Sequence, residues 1–198
     1  MSNKAIICLL VCLCGIIFST LLLLKKDVRR SNSVTKNQIP YEVQSASAQN
    51  FLSNGQYDLA NKIFENSFKH FRENPAFIEK YAVSLNSSGK EKEALKILKE
   101  ALGKFPLNKN LRLISARTFI LNQECSKAYD LLTSVPIFNH KDPEFLSLVI
   151  LTTPNEQALD SLMIKMKAFQ NFENFFDQGL VEKSINRKFL ERFFSENG

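Results

Sequence analysis

The sequence predicts an all-α protein, an array of antiparallel helix pairs behind one apolar segment long enough to span a bilayer. Three observations carry this. Small and bulky apolar residues recur with a period of 34 across residues 41–142. Lys, Glu, Leu and Asn are abundant, against only 6 Gly and 6 Pro. Residues 5–24 carry no charge at all. With 17 Phe and no Trp among its 198 residues, the chain must build its core from Phe, Leu and Ile, and it has room for one folded domain plus accessories.

Residues 5–24 read AIICLLVCLCGIIFSTLLLL, with Ser19 and Thr20 the polar exceptions. As a helix, such a run rises about 1.5 Å per residue and covers roughly 30 Å, the thickness of a hydrocarbon core. A cleaved signal has a shorter apolar region closed by a small-x-small site, whereas this run ends in LLLLKK. A lipoprotein signal wants a small residue before its cysteine, yet Val11 precedes Cys12 and Leu13 precedes Cys14. Residues 1–24 are therefore read as an uncleaved transmembrane anchor, with the lipid bilayer met through residues 5–24. Lys4 and the amino terminus stand before the span, and Lys25, Lys26, Arg29 and Arg30 follow it. The positive-inside rule then favours a body on the cytoplasmic side; the alternative is a periplasmic or extracytoplasmic body. Residues 25–40 read as a basic flexible linker whose cations can touch anionic headgroups.

Cys8, Cys12 and Cys14 lie in the apolar run and only Cys125 lies beyond it, so the body has no second thiol for a disulfide. Cysteines in a span serve as small apolar residues, with palmitoylation of Cys8 or Cys14 as the alternative.

Between residues 41 and 142 the period carries the argument. Ala48, Ala82 and Ala116 share one phase, and Ala60, Ala94 and Ala128 another. Phe51, Leu85 and Phe119 hold a bulky phase, as do Phe64, Leu98 and Leu132. Gly55 and Gly89 hold a further phase, with Gln123 at its third place. In the middle unit, Ile78, Tyr81, Ala82 and Leu85 form one helical stripe, and Ala94, Ile97, Leu98, Ala101, Leu102 and Phe105 form a second. Gly89 suits the turn between them, and Pro106 closes the unit. Alanines at two phases are expected where helices cross closely, Ala82 against Ala94.

This pattern resembles the tetratricopeptide repeat, best matched over residues 75–108 by Ala82, Leu85, Gly89, Ala94, Leu98, Ala101 and Pro106. Residues 41–74 depart from it at Ser67, which replaces an alanine. Residues 109–142 depart at Gln123, and Pro136 shortens their second helix. The resemblance implies a right-handed superhelix of antiparallel helix pairs, whose first helices line a concave groove that binds a peptide or helix of a partner protein. By position in the unit, the groove is expected to take its lining from Gln49, Lys80, Val83, Asn86, Asn110, Leu113, Arg117 and Leu121, with Ser45, Leu52, Glu79 and Ile114 as neighbours. Repeats that receive acidic chaperone tails place Lys, Asn and Arg where this chain has Ser45, Gln49, Lys80, Asn110 and Ile114, so that clamp is missing.

Residues 143–198 lose the strict period and read as a degenerate helical hairpin followed by a capping helix. Ala158 and Leu162 take the alanine and bulky roles, the stripe runs on through Met166, Phe169, Phe172 and Phe176, and a final helix from Val181 to Phe194 presents Ile185, Phe189, Phe193 and Phe194. A solenoid needs such a cap. The alternative function follows from these rings: a structural subunit of a membrane-associated assembly that binds through Phe175, Phe193 and Phe194.

The net charge of +6 does not mark a nucleic-acid binder. Five of those six charges lie in residues 1–40, leaving a nearly neutral body, where phosphate neutralisation needs a clustered basic face. His70 and His140 have no metal-ligand spacing with cysteine or carboxylate, no phosphate loop is present, and Cys125 falls at a core phase. Glu91, Glu93 and Glu100 alternate with Lys90, Lys92, Lys96 and Lys99 as a solvated face. No cofactor, metal or catalytic residue is expected, and the expected partner is a protein.

Overall fold

A computed structural model describes residues 41–135 and 141–197. The expected anchor, the basic linker, Pro136 and His140 lie outside the described residues. Among the described residues there are ten α-helices, one short 3-10 helix and no strand, and no helix is long and apolar enough to cross a membrane.

The helices pair in chain order. They are α1 (Tyr41–Ser53) with α2 (Tyr57–Phe71), α3 (Pro75–Ser87) with α4 (Glu91–Lys104), α5 (Lys109–Leu121) with α6 (Cys125–Thr133), and α7 (Pro143–Thr152) with α8 (Glu156–Met166). Each pair packs on the next, and the first helices also meet, α3 against α5 and α5 against α7. The alanine phases lie at the crossings. Ala48, Ala60, Ala82, Ala94, Ala116 and Ala128 are all fully buried, because helices this close leave no room for a longer side chain.

The three turns inside the first three pairs are built alike. Gly55, Gly89 and Gln123 have φ of +70°, +71° and +62°. The following amide donates to the carbonyl of the bulky residue five positions back, Gln56 to Phe51 at 2.8 Å, Lys90 to Leu85 at 2.9 Å and Glu124 to Phe119 at 2.8 Å. This is a Schellman closure, in which a left-handed residue lets the chain return its amides to the last helical carbonyls. Gln123 takes up the glycine conformation despite its side chain.

The opposite ends follow the same period. Asn74, Asn108 and Asp142 stand 34 apart and cap α3, α5 and α7. Asn74 Oδ1 accepts from the Ala76 amide at 3.0 Å, Asn108 Oδ1 from Leu111 at 3.0 Å, and Asp142 Oδ1 from Glu144 at 3.0 Å. Such caps satisfy amides that have no intrahelical partner. Ser67, the departure from alanine, is buried, donates to Ile63 O at 2.8 Å and pairs with Gln44 Oε1.

Among the described residues there are two cores, and α5 belongs to both. Phe64, Phe77, Ile78, Leu85 and Leu98 make the first core together with Leu111 and Ile114 of α5. Leu113, Ala116 and Ile120 of α5 join Leu132, Leu146, Leu148, Ile150, Leu151 and Met163 in the second. Being enclosed, α5 buries polar groups as well, and these find partners as buried polar groups must. Ser115 Oγ donates to Leu111 O at 2.6 Å, and Thr118 Oγ1 to Ile114 O at 2.7 Å. The guanidinium of Arg112, 6% exposed, donates to Pro106 O at 2.8 Å and to Leu131 O and Ser134 Oγ. It ties the end of the second hairpin to the end of the third, and burial holds its pKa below the usual arginine value.

The last part departs from expectation in two ways. Asn155 caps α8, its Oδ1 accepting from the Gln157 amide at 3.1 Å, and fixes the phase so that Leu159 and Met163, both 1% exposed, fill the alanine and bulky places. Ala158 is half-buried and Leu162 is 8% exposed. The expected continuous helices are also broken. The chain turns through a 3-10 helix (Phe172–Phe175) with Asn171 left-handed at φ +53°. It then forms α9 (Gln178–Lys183), stops at the extended Ser184, and resumes as α10 (Arg187–Asn197). Asn186 accounts for the break: its Nδ2 is buried and donates to Ile150 O at 2.7 Å and Thr153 O at 2.9 Å, the end of α7. Ile185 is consequently 53% exposed, and Leu190 is buried in its stead.

Candidate functional site

Side chains on the first helices of the second and third hairpins converge on one open cleft of about 500 Å³, within the range of pockets that take small ligands or short peptide segments, about 300–1,000 Å³. Its floor comes from α5, where Leu113 and Ile114 are 4% and 9% exposed. Val83, 40% exposed, stands on the α3 wall and Leu121 at the far end of α5. Glu144 of α7 adds to the lining, and Asp177 and Leu180 close the end.

The closing piece is α9, held against α5. Leu180 is buried, and Lys183 Nζ donates to Leu121 O at 3.0 Å, a carbonyl in the last turn of α5 without an intrahelical partner. Asp177 Oδ1 accepts from the Leu180 amide at 3.0 Å and so caps α9.

The polar lining is partly self-satisfied. Asn110 Nδ2 donates to Glu79 Oε2 at 3.2 Å, and Arg117 Nη2 meets Glu144 Oε1 at 3.1 Å. Asn86 Nδ2 donates to Thr118 Oγ1 at 2.8 Å, while its Oδ1 is buried and has no hydrogen-bond partner among the described residues. No ion pair among the described residues involves Glu79 or Asp177.

Of the lining residues expected from the sequence, Val83, Asn86, Asn110, Leu113, Arg117 and Leu121 come together here. Two do not. Gln49 is exposed on α1, and Lys80 Nζ donates to Ser45 Oγ at 2.8 Å, spanning the first and second hairpins away from the cleft lining. Glu144 stands one period after Asn110, so carrying the period of 34 past residue 142 would have found it. Asp177 and Leu180 follow no period, and only the fold brings them in.

The other sequence candidates for chemistry are placed apart. His70 is exposed in the last turn of α2. Cys125 is 5% exposed with Sγ 3.5 Å from Lys183 O, and burial pushes its thiol pKa up. Among the described residues no three His, Cys, Asp or Glu side chains are grouped to hold a metal ion.

Stacked helical hairpins with an open cleft on their first helices define a helical-repeat scaffold. The family model of the tetratricopeptide repeat matches residues 85–149, from the last turn of α3 into α7, so this stretch, which contains most of the cleft, is similar to that family. Tetratricopeptide repeats typically mediate protein–protein interaction and are not enzymes. Comparison with the curated proteins and with the solved structures returns no match.

Proposed function

We propose that this chain is a membrane-anchored protein-interaction scaffold that holds a peptide or helix of a partner in the cleft between α3, α5 and α9. The observation that carries the reading is the convergence of Val83, Leu113, Ile114 and Leu121 with polar and charged side chains on one open surface, part of it within a stretch similar to a protein-binding repeat. Apolar groups left facing solvent in a concavity gain from an occupant that removes them from water, at about 25 cal/mol per Å². The uncharged run of residues 5–24 with four cations behind it supports a single-pass anchor, with the repeats on the cytoplasmic side.

The Phe-rich end supports binding less well. Phe172, Phe175, Phe176, Phe189, Phe193 and Phe194 are partly buried against the second core, and Phe172 and Phe194 stack with ring centroids 6.4 Å apart.

The test is affinity capture from native membranes with the full-length chain, comparing wild type with Val83→Trp, which fills the cleft, and Leu121→Lys, which removes an apolar contact and adds a cation. Loss of the same partner with both variants, at unchanged helicity by circular dichroism, is the expected result. Retention of every partner by both would remove the cleft from the function. Resistance of the chain to alkaline carbonate extraction checks the anchor, and protease protection of its C-terminus in intact cells checks the side.

A further inference from the structure

We infer that the partner segment held in this cleft carries a lysine or arginine beside an aliphatic side chain. The inference rests on the peptide-binding reading above and adds the chemistry of the occupant. Three carboxylates line the cleft, Glu79, Glu144 and Asp177, against one cation, Arg117. That cation is engaged by Glu144 at 3.1 Å. Glu79 and Asp177 therefore remain without a cation among the described residues, one on the α3 wall and one at the α9 end.

The remaining unmet group is of the same kind. Asn86 Oδ1 is a buried acceptor without a hydrogen-bond partner among the described residues, and an unmet acceptor of this kind adds to the negative character of the wall. The wall thus offers the carboxylates of Glu79 and Asp177 with apolar surface near them, Val83 and Leu121 above the floor of Leu113 and Ile114. An occupant with a cation and an adjoining aliphatic group answers both. An acidic occupant would face two uncompensated carboxylates, and like-charge juxtaposition of this kind is what excludes wrong partners.

The closure of the cleft by α9 limits what enters. Because Leu180 and Asp177 stand across its end, the held segment is short.

A random peptide display library, selected on the full-length chain in detergent micelles, tests this. Clones are kept only if they fail to bind Val83→Trp, a substitution at a 40% exposed position that fills the cleft and leaves the cores alone. The kept clones should be enriched in Lys or Arg next to Leu, Ile, Val or Met. Their synthetic peptides should bind the double variant Glu79→Gln, Asp177→Asn about tenfold more weakly, and lose affinity as salt rises, as rim charges do. Gln and Asn retain the acceptor for Asn110 and the cap of α9 while removing the charge. Cleft-dependent clones that lack basic residues, that carry acidic ones, or that bind the double variant equally well would overturn the inference and leave the peptide-binding reading standing. A selection with no cleft-dependent clone would overturn both.

Discussion

Gln123→Gly should stabilise the protein, an unusual expectation for a change that removes a side chain. Gln123 adopts φ +62° in the turn between α5 and α6, where a side chain costs roughly 1–2 kcal/mol through the contact of Cβ with the backbone. Glycine escapes that strain but orders a freer unfolded chain, giving back about 0.4–1 kcal/mol. The net gain is about 1 kcal/mol, or about 2–4 °C in Tm for a domain of this size. The mirror experiment is Gly89→Gln at φ +71°, where a Cβ meets nothing within 4 Å, so the measured loss reports backbone strain with no steric clash mixed in. It should be of similar size and opposite sign. Circular dichroism at 222 nm during heating or urea titration of the full-length chain reads both. If Gln123→Gly leaves the midpoint unmoved or lowers it while Gly89→Gln also lowers it, the two turns are not equivalent and the reasoning fails.

Ala94→Arg forces a long cation into a fully buried helix crossing and should cost roughly 3 kcal/mol or more, read as a lower urea midpoint. An unchanged midpoint would contradict the placement of Ala94. Arg112→Met keeps much of the side-chain bulk but abandons Pro106 O, Leu131 O and Ser134 Oγ; a loss of about 2 kcal/mol is expected from the acceptors left unmet, and Arg112→Lys should not restore it fully, since an ammonium cannot span two carbonyls in the guanidinium's fork. The Cys125 thiol should react with a disulfide reagent only as fast as the protein opens, because it is 5% exposed. Its pKa is raised by burial, so the unfolded chain loses that proton first. Stability should therefore fall as pH rises past the ordinary thiol value of about 8.5, and Cys125→Ala should flatten that part of the curve.

The parts of the fold that were legible in the sequence are those where one physical demand recurs at one phase. Close helix crossings demand Ala60, Ala94 and Ala128, and the turns demand Gly55 and Gly89. Asn74, Asn108 and Asp142 were equally legible as caps, since Asn and Asp stand 34 apart before each first helix, but apolar periodicity does not look at polar residues. Arg112 was not legible. An arginine among apolar neighbours reads as solvent-facing until the helix is seen to be enclosed on nearly every side. The break at Ser184 depends on Asn186 reaching the carbonyls of Ile150 and Thr153, more than 30 positions earlier, and no local pattern encodes it. The site divides in the same way. Its α3 and α5 walls follow from position in the repeat, while Asp177 and Leu180 arrive through the docking of α9.

Because α5 faces two cores at once, the array has no seam at which it could be divided. A chain ending before residue 109 would leave the first core without Leu111 and Ile114, and one starting there would hold an apolar stripe out to water. Hydrogen exchange should accordingly find the slowest amides in α5, with protection declining outward toward α1 and α10.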